Sequence, residues 1–237
     1  MRGQILWIVG LFAAYWIMMT LIPVPGYGPG RLDVEGNFAH YIDRLVLGTH
    51  NYSDTKTWDP EGVVSTLPAI ATALFGVLAG RILRLRRELA ERTTWLFVTG
   101  SLLLAAGLIC TAWLPINKKL WTDSFTLFMA GLDFIVFAIF AWFIDGLGWH
   151  KPARPLVIFG MNAIALYMIS EGLAELLGGV RVNAAGGPIS LQAYVYRAWF
   201  VPLASPPIAS LLYSLAFVAV IYAAAYLLYR RGWFLRV

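Results

Sequence analysis

A few groups of side chains in this 237-residue sequence could do chemistry. Glu171 and Glu175 stand four residues apart in "FGMNAIALYMISEGLAELL" and share one face of a helix. Asp59 and Glu61 lie in "WDPEG", directly ahead of an apolar run, and Asp43 and Arg44 close "YIDR", three residues after His40. "PINKKLW" offers Asn117, Lys118, Lys119 and Trp121. A positioned carboxylate or imidazole can take a proton from an amine, which makes Glu171, Asp59, Glu61 and His40 candidate bases. The two lysines could hold an anionic group or pair with nearby acids. Each group also has a plainer reading. Asp59 before Pro60 has the form of a helix N-cap with proline at the first helical position, and Glu61 in a first turn suits the positive helix end. That same terminus would offer free amides to an anion, and spacing does not decide between the two. His40 and His50 read as surface histidines, and Trp121 as an interfacial anchor. Three scattered histidines and one cysteine give no metal spacing, and no glycine-rich phosphate loop is present.

These side chains must be positioned by membrane helices. The composition is 59% hydrophobic and 13% charged, with a mean hydropathy of +0.70; soluble domains carry about 25% charged residues. Apolar runs near the roughly 20 residues that cross a bilayer recur at Ile5–Leu21, Gly62–Leu83, Thr94–Leu114, Trp121–Ile144, Pro155–Leu177 and Pro206–Tyr229. The expected fold is all-α: a polytopic membrane protein of about six transmembrane helices in one domain, residues 1–237, whose first partner is the lipid bilayer. The net charge of +5 sits at the ends of these runs, so it argues for topology and not for nucleic acid. Cys110, alone in an apolar run, is expected to be a packed residue without an internal disulfide.

If the spans alternate, eleven of the 18 Lys and Arg residues fall on one side, five of them between Arg81 and Arg92. That side is then cytoplasmic and holds both termini. Most acids fall on the other side, where they would draw a cationic substrate such as an amine. Residues 22–61 form an outer loop. Within it "NFAHYIDRLVLG" predicts a short amphipathic helix on the outer surface, capped by Asn37 and stopped at Gly48. Phe38, Ile42 and Leu45 share its apolar face, with Asp43 and Arg44 along the polar side. Asp133, near mid-span, is expected to be protonated or paired with an interior group. Asn162, in the inner half of its span, either bonds an adjacent helix or lines a tunnel. The small-residue faces of Gly76 and Gly80, which normally let helices approach closely, are expected to be left exposed in this chain.

The ordered motifs "YIDR", "WDPEG", "FGVLAG", "PINKKLWTDSF", "FGMNAIALYMISE" and "YLLYRRGWF" together resemble the heparan-alpha-glucosaminide N-acetyltransferase family, including its bacterial relatives. The resemblance implies a transmembrane acyltransferase of the bacterial inner membrane. Acetyl would move from cytoplasmic acetyl-CoA, the cosubstrate, to an amino sugar such as glucosamine on the outer side, with no metal. The residues themselves offer Glu171, Asp59 and Glu61 as catalytic candidates for that reaction. Asp43, Arg44, Asn117, Lys118, Lys119, Trp121 and Asn162 would be the groups that bind acceptor or cofactor, with Asn162 lining the path of the pantetheine arm. The family's catalytic histidine lies ahead of these motifs. The chain is therefore expected to be the C-terminal portion of the fold, with little activity by itself. Its expected partners are a missing N-terminal half or further copies of itself. The competing expectation is a non-catalytic or transporter-like membrane module that binds a sugar or amine.

Overall fold

The computed structural model describes residues 2–184 and 187–235. It is helical almost throughout, as its apolar runs require: backbone polar groups inside a bilayer must be satisfied within the segment. Five helices are long and apolar enough to cross a membrane, and a bent pair makes a sixth if counted as one span. Contacts sort the chain into two compact units, divided between Gly148 and Trp149.

The first unit contains α1 (Arg2–Thr20), α2 (Phe38–Val46), α3 (Thr66–Leu83), α4 (Leu89–Cys110) and α5 (Asp123–Ala141). A π-type turn, Trp142–Gly146, extends α5. α1 is apolar all round, as a membrane helix should be, yet only one stripe of it is buried: Gln4, Ile8, Tyr15 and Met19. Two polar anchors fix that stripe. Gln4 Nε2 donates to Leu74 O at 2.5 Å, and the Tyr15 hydroxyl donates to Leu120 O at 2.8 Å. Phe75, Leu78, Leu96 and Phe134 fill the core between α1, α3, α4 and α5. Arg92 closes the α3–α4 turn by donating to Leu83 O at 2.8 Å.

α4 and α5 are the most closely packed pair, because glycine stands at their crossing. A Cβ on Gly107 would meet Phe128 N at 2.5 Å, and one on Gly131 would meet Leu104 N at the same distance. Gly100 fills the same role one heptad before Gly107. Small residues let membrane helices approach until their backbones touch. Gly76 and Gly80 stand open, as expected: nothing lies within 4 Å of a Cβ at either one. They fall off the buried side of α3, which is Ala71, Phe75, Leu78, Ala79 and Ile82. Of the two expectations for Asp133, interior pairing does not hold among the described residues: it is exposed, because the buried face of α5 carries Gly131, Phe134 and Ala138.

The second unit contains α6 (His150–Gly160), α7 (Ala163–Gly179), a hairpin of β1 (Arg181–Ala184) and β2 (Gly187–Ser190), α8 (Leu191–Val195) and α9 (Pro206–Arg230). A single span over Pro155–Leu177 was expected; instead α6 and α7 meet at a 67° bend around Met161 and Asn162. The hairpin, absent from the sequence reading, pairs Val182 with Ile189. α9 starts with Pro206 and Pro207 in its first turn, where a missing N–H costs nothing. Ile158, Leu166, Ile221 and Ala225 form the core of this unit. The charge count that set the topology included Arg236, which lies outside the described residues.

Candidate functional site

Asn37 caps α2 as expected: its side chain accepts from His40 N at 2.8 Å. The orientation of the helix differs from the expectation. Its buried face is Ala39, His40 and Asp43, while Leu45 is 63% exposed. The polar side is turned inward because it has backbone to bind. Asp43, only 1% exposed, accepts from Val63 N at 3.0 Å and from Asp59 N at 3.3 Å. A charged acceptor on two backbone donors is a strong arrangement. It also explains Gly62. A Cβ there would overlap both carboxylate oxygens of Asp43.

"WDPEG" is thus held by α2 and does not begin a helix. α3 starts only at Thr66, with no side chain capping it. Asp59 caps a turn of its own: Oδ1 accepts from Glu61 N at 2.9 Å, the Asx arrangement. The helix-cap reading of Asp59 therefore fails, for want of a helix there. Glu61 is exposed and Asp59 half-buried.

Trp58 anchors the turn from within. The His40 ring stacks on it at 4.5 Å and 16°, and Lys119 Nζ lies 5.6 Å from its ring centroid. His40 was expected at the surface but is 4% exposed. Its Nδ1 stands 2.9 Å from Val34 O and 2.8 Å from Asn37 Nδ2, while Nε2 is buried with no partner. Protonation would bury an N–H without an acceptor. Burial holds the imidazole below the ordinary 6.5, so it is neutral at pH 7. Enclosed in this way, it packs the loop against Trp58.

The α4–α5 link is built around Asn117, whose Oδ1 accepts from Lys119 N at 2.9 Å and Leu120 N at 3.3 Å. Thr122 accepts from Asn117 N at 3.1 Å and donates to Pro115 O at 2.8 Å. Trp121 turns toward α3. It sits at φ +53, and its Nε1 donates to Thr72 Oγ1 at 3.1 Å. Lys118 is exposed and has no partner among the described residues. Arg44 is committed to the loop, donating to Glu35 O at 2.7 Å.

The first unit therefore gathers Asp43, Asp59 and Lys119 around Trp58, with Glu61 and Asn117 in the turns that flank it. In the second unit Glu171 and Glu175 are exposed on α7. Asn162 is buried at the helix break and spoken for: Nδ2 donates to Trp233 O at 3.0 Å, and Oδ1 accepts from Leu235 N at 2.9 Å. It bonds a tail, not a neighbouring helix. His40, Trp58 and Thr72 are the residues that sequence reasoning undervalued. For His40 a signal existed, because positions 39, 40 and 43 share a helical face. Among the described residues no three acids, histidines or cysteines converge as metal ligands.

Fold and site together define a polytopic α-helical membrane protein with an ordered, charged loop cluster at the ends of its spans. No family model matches the sequence. Heparan-alpha-glucosaminide N-acetyltransferase of Mus musculus is 31% identical over 189 residues, 67% of this chain and 28% of that protein. Its Homo sapiens counterpart is 30% identical over 187 residues, 66% of this chain and 28% of its own length. The chain is a homologue of these acetyltransferases over the shared stretch, as its motifs implied, and it spans 28% of their length.

Proposed function

We propose that this chain takes part in transfer of an acetyl group from acetyl-CoA to the amine of an amino sugar such as glucosamine. The observation that carries the reading is the match over 189 residues to proteins of that name. In the reaction a neutral amine attacks the thioester carbonyl, the C–S bond breaks, and the CoA thiolate leaves. Something must first take a proton from the ammonium form. Glu171 is the base of this reading, being an exposed carboxylate on a membrane helix.

The geometry divides the remaining candidates by role. Asp43, buried and saturated by backbone donors, is a positioning residue. It fixes the turn from which Asp59 and Glu61 project negative charge that would draw an ammonium group. Asn117 does the same for the link that carries Lys118 and Lys119, which suit a carboxylate or sulfate on the sugar. Asn162 holds the bend of α6–α7 and so shapes any path for the pantetheine arm. The arginines between α3 and α4 face the cytoplasm in this reading, with acetyl-CoA on their side and the acceptor opposite.

The test is transfer of labelled acetyl from acetyl-CoA to glucosamine in proteoliposomes. It uses the chain alone and the chain co-expressed with the preceding segment of the mouse relative. Turnover in either arm that falls about 10²-fold or more in Glu171→Gln, with CoA binding kept, supports the assignment. Sugar binding with no affinity for CoA in both arms replaces it with the non-catalytic sugar-binding reading.

A further inference from the structure

The first turn of α5 holds two buried oxygens that bond nothing. Asp123, 7% exposed, is the first residue of the helix, and Thr126, 1% exposed, follows one turn later. Asp123 Oδ1 and Thr126 Oγ1 are both enclosed, and neither has a hydrogen-bond partner among the described residues. Residues three apart share a helix face, yet these two do not bond each other. The neighbouring polar groups are already in use. Thr122 Oγ1 donates to Pro115 O at 2.8 Å and pairs with Ser124 Oγ at 3.1 Å. Thr122 O accepts from Thr126 N at 2.9 Å. No Lys, Arg or His pairs with Asp123 among the described residues.

Helices α1 and α4 close the place. Tyr15 of α1, wholly buried, and Cys110 at the end of α4 lie within electrostatic range of Asp123. The Tyr15 hydroxyl spends its proton on Leu120 O, so it has only lone pairs left to offer. α4 comes against the same turn at Gly107, where a Cβ would meet Ser124 O at 3.0 Å. A buried carboxylate without a counter-charge is costly, and three guests could relieve it. A proton removes the charge but leaves Oδ1 and Thr126 Oγ1 without partners. A water can bridge both oxygens but leaves the charge. A cation bridges both and cancels the charge.

We propose that Asp123 and Thr126, with the Tyr15 hydroxyl oxygen, bind a sodium ion where α1, α4 and α5 meet. The donors are all oxygens, which suits a hard cation. They carry one negative charge between them, which matches a monovalent ion; calcium takes about six to eight oxygens, carboxylates among them. The enclosure of Oδ1 and Oγ1 favours a bare ion over the ammonium group of an amino sugar. Bound there, the ion ties the adjoining ends of three spans together. The proposal is independent of the acetyl-transfer reading, since it uses none of that site's residues.

The test uses the purified chain in phosphatidylcholine nanodiscs, with choline chloride exchanged for sodium chloride at constant ionic strength. Radioactive sodium ion should bind saturably, displaced by unlabelled sodium chloride and not by choline chloride. At about five times the half-saturating concentration, the thermal midpoint should stand about 2–4 °C above its value in choline. Asp123→Asn keeps the size and removes the charge, and should abolish both responses. Thr126→Val should weaken binding about tenfold or more, the loss of one oxygen from a charged partner. Thr126→Ser keeps that oxygen and should bind like the parent. If Asp123→Asn misfolds, the two Thr126 variants decide. Equal midpoints in sodium and choline, or binding that survives Asp123→Asn, overturns the proposal. So does a midpoint that rises with acid in choline chloride and ignores sodium, because a proton would then be what satisfies Asp123.

Discussion

At the scale of single residues, the Asp43–Gly62 contact carries most of the consequence. Gly62→Ala must push the Asp43 carboxylate off its two amide donors. Overpacking of that kind costs about 1–3 kcal/mol. Asp43→Ala strands the Asp59 and Val63 amides at a similar cost. Both single variants should therefore lower the thermal midpoint. The double variant should lose clearly less than the sum, because each change relieves what the other disturbs; simple additivity would show that the contact does not couple them. His40 gives a pH-dependent test. Asp43 and Arg44 are the charged groups facing it, but burial dominates and keeps the imidazole below the ordinary 6.5. The unfolded chain therefore takes up the proton first. The stabilising effect is whole above about pH 6.5 and is lost as pH falls from there toward the folded-state value. His40→Phe, which keeps a ring against Trp58 and cannot titrate, should flatten the fall in thermal midpoint between about pH 7 and about pH 5.5. An unchanged slope would place the acid sensitivity elsewhere. The sequence showed Asn37 as a cap because a cap is a local device. It could not show that Asp59 serves a turn, since what holds that turn comes from Asp43, sixteen residues away.

At the scale of elements, the spans were legible because bilayer thickness sets their length and hydrocarbon sets their composition. The packing of those spans was not. Gly76 and Gly80 form the better-known small-residue spacing, yet Gly107 and Gly131 make the close crossing. Only helix phase against a neighbour separates the two pairs. Gly131→Val should accordingly disrupt the α4–α5 pair and lower the thermal midpoint sharply. Gly76→Ala and Gly80→Ala should each be neutral or raise it, by up to about 1 kcal/mol of helix propensity. Asp133 offers a second element-scale test. It stands on the exposed side of α5, and a carboxylate at the centre of a span costs about 2.5–3.5 kcal/mol. In nanodiscs Asp133→Leu should make the chain more resistant to unfolding, and a loss of resistance would mean that the carboxylate has a partner. The bend between α6 and α7 was invisible for another reason. Gly160 and Asn162 stand at the break, but apolar residues resume at once with Ala163 and Ile164, so the hydropathy pattern joins the two helices into one span.

At the scale of the whole molecule, the charge bias predicts that Arg84 faces the cytoplasm and His50 the opposite side. In a Cys110→Ala background, a cysteine at position 50 should react with an impermeant reagent in intact cells, and one at position 84 should not. The reverse pattern would invert the orientation proposed for donor and acceptor. Both units draw on contacts that composition alone could not announce, and the longest of these has a consequence in time. Asn162 bonds Trp233 and Leu235, residues made 71 and 73 positions after it. At about 5–20 residues per second, a ribosome needs roughly 4–14 s to cover that distance. Throughout that interval α6 and α7 are already synthesised, and the amide at their junction has no tail to hold. The two hydrogen bonds that close Asn162 onto the tail are therefore a late acquisition in the life of each molecule.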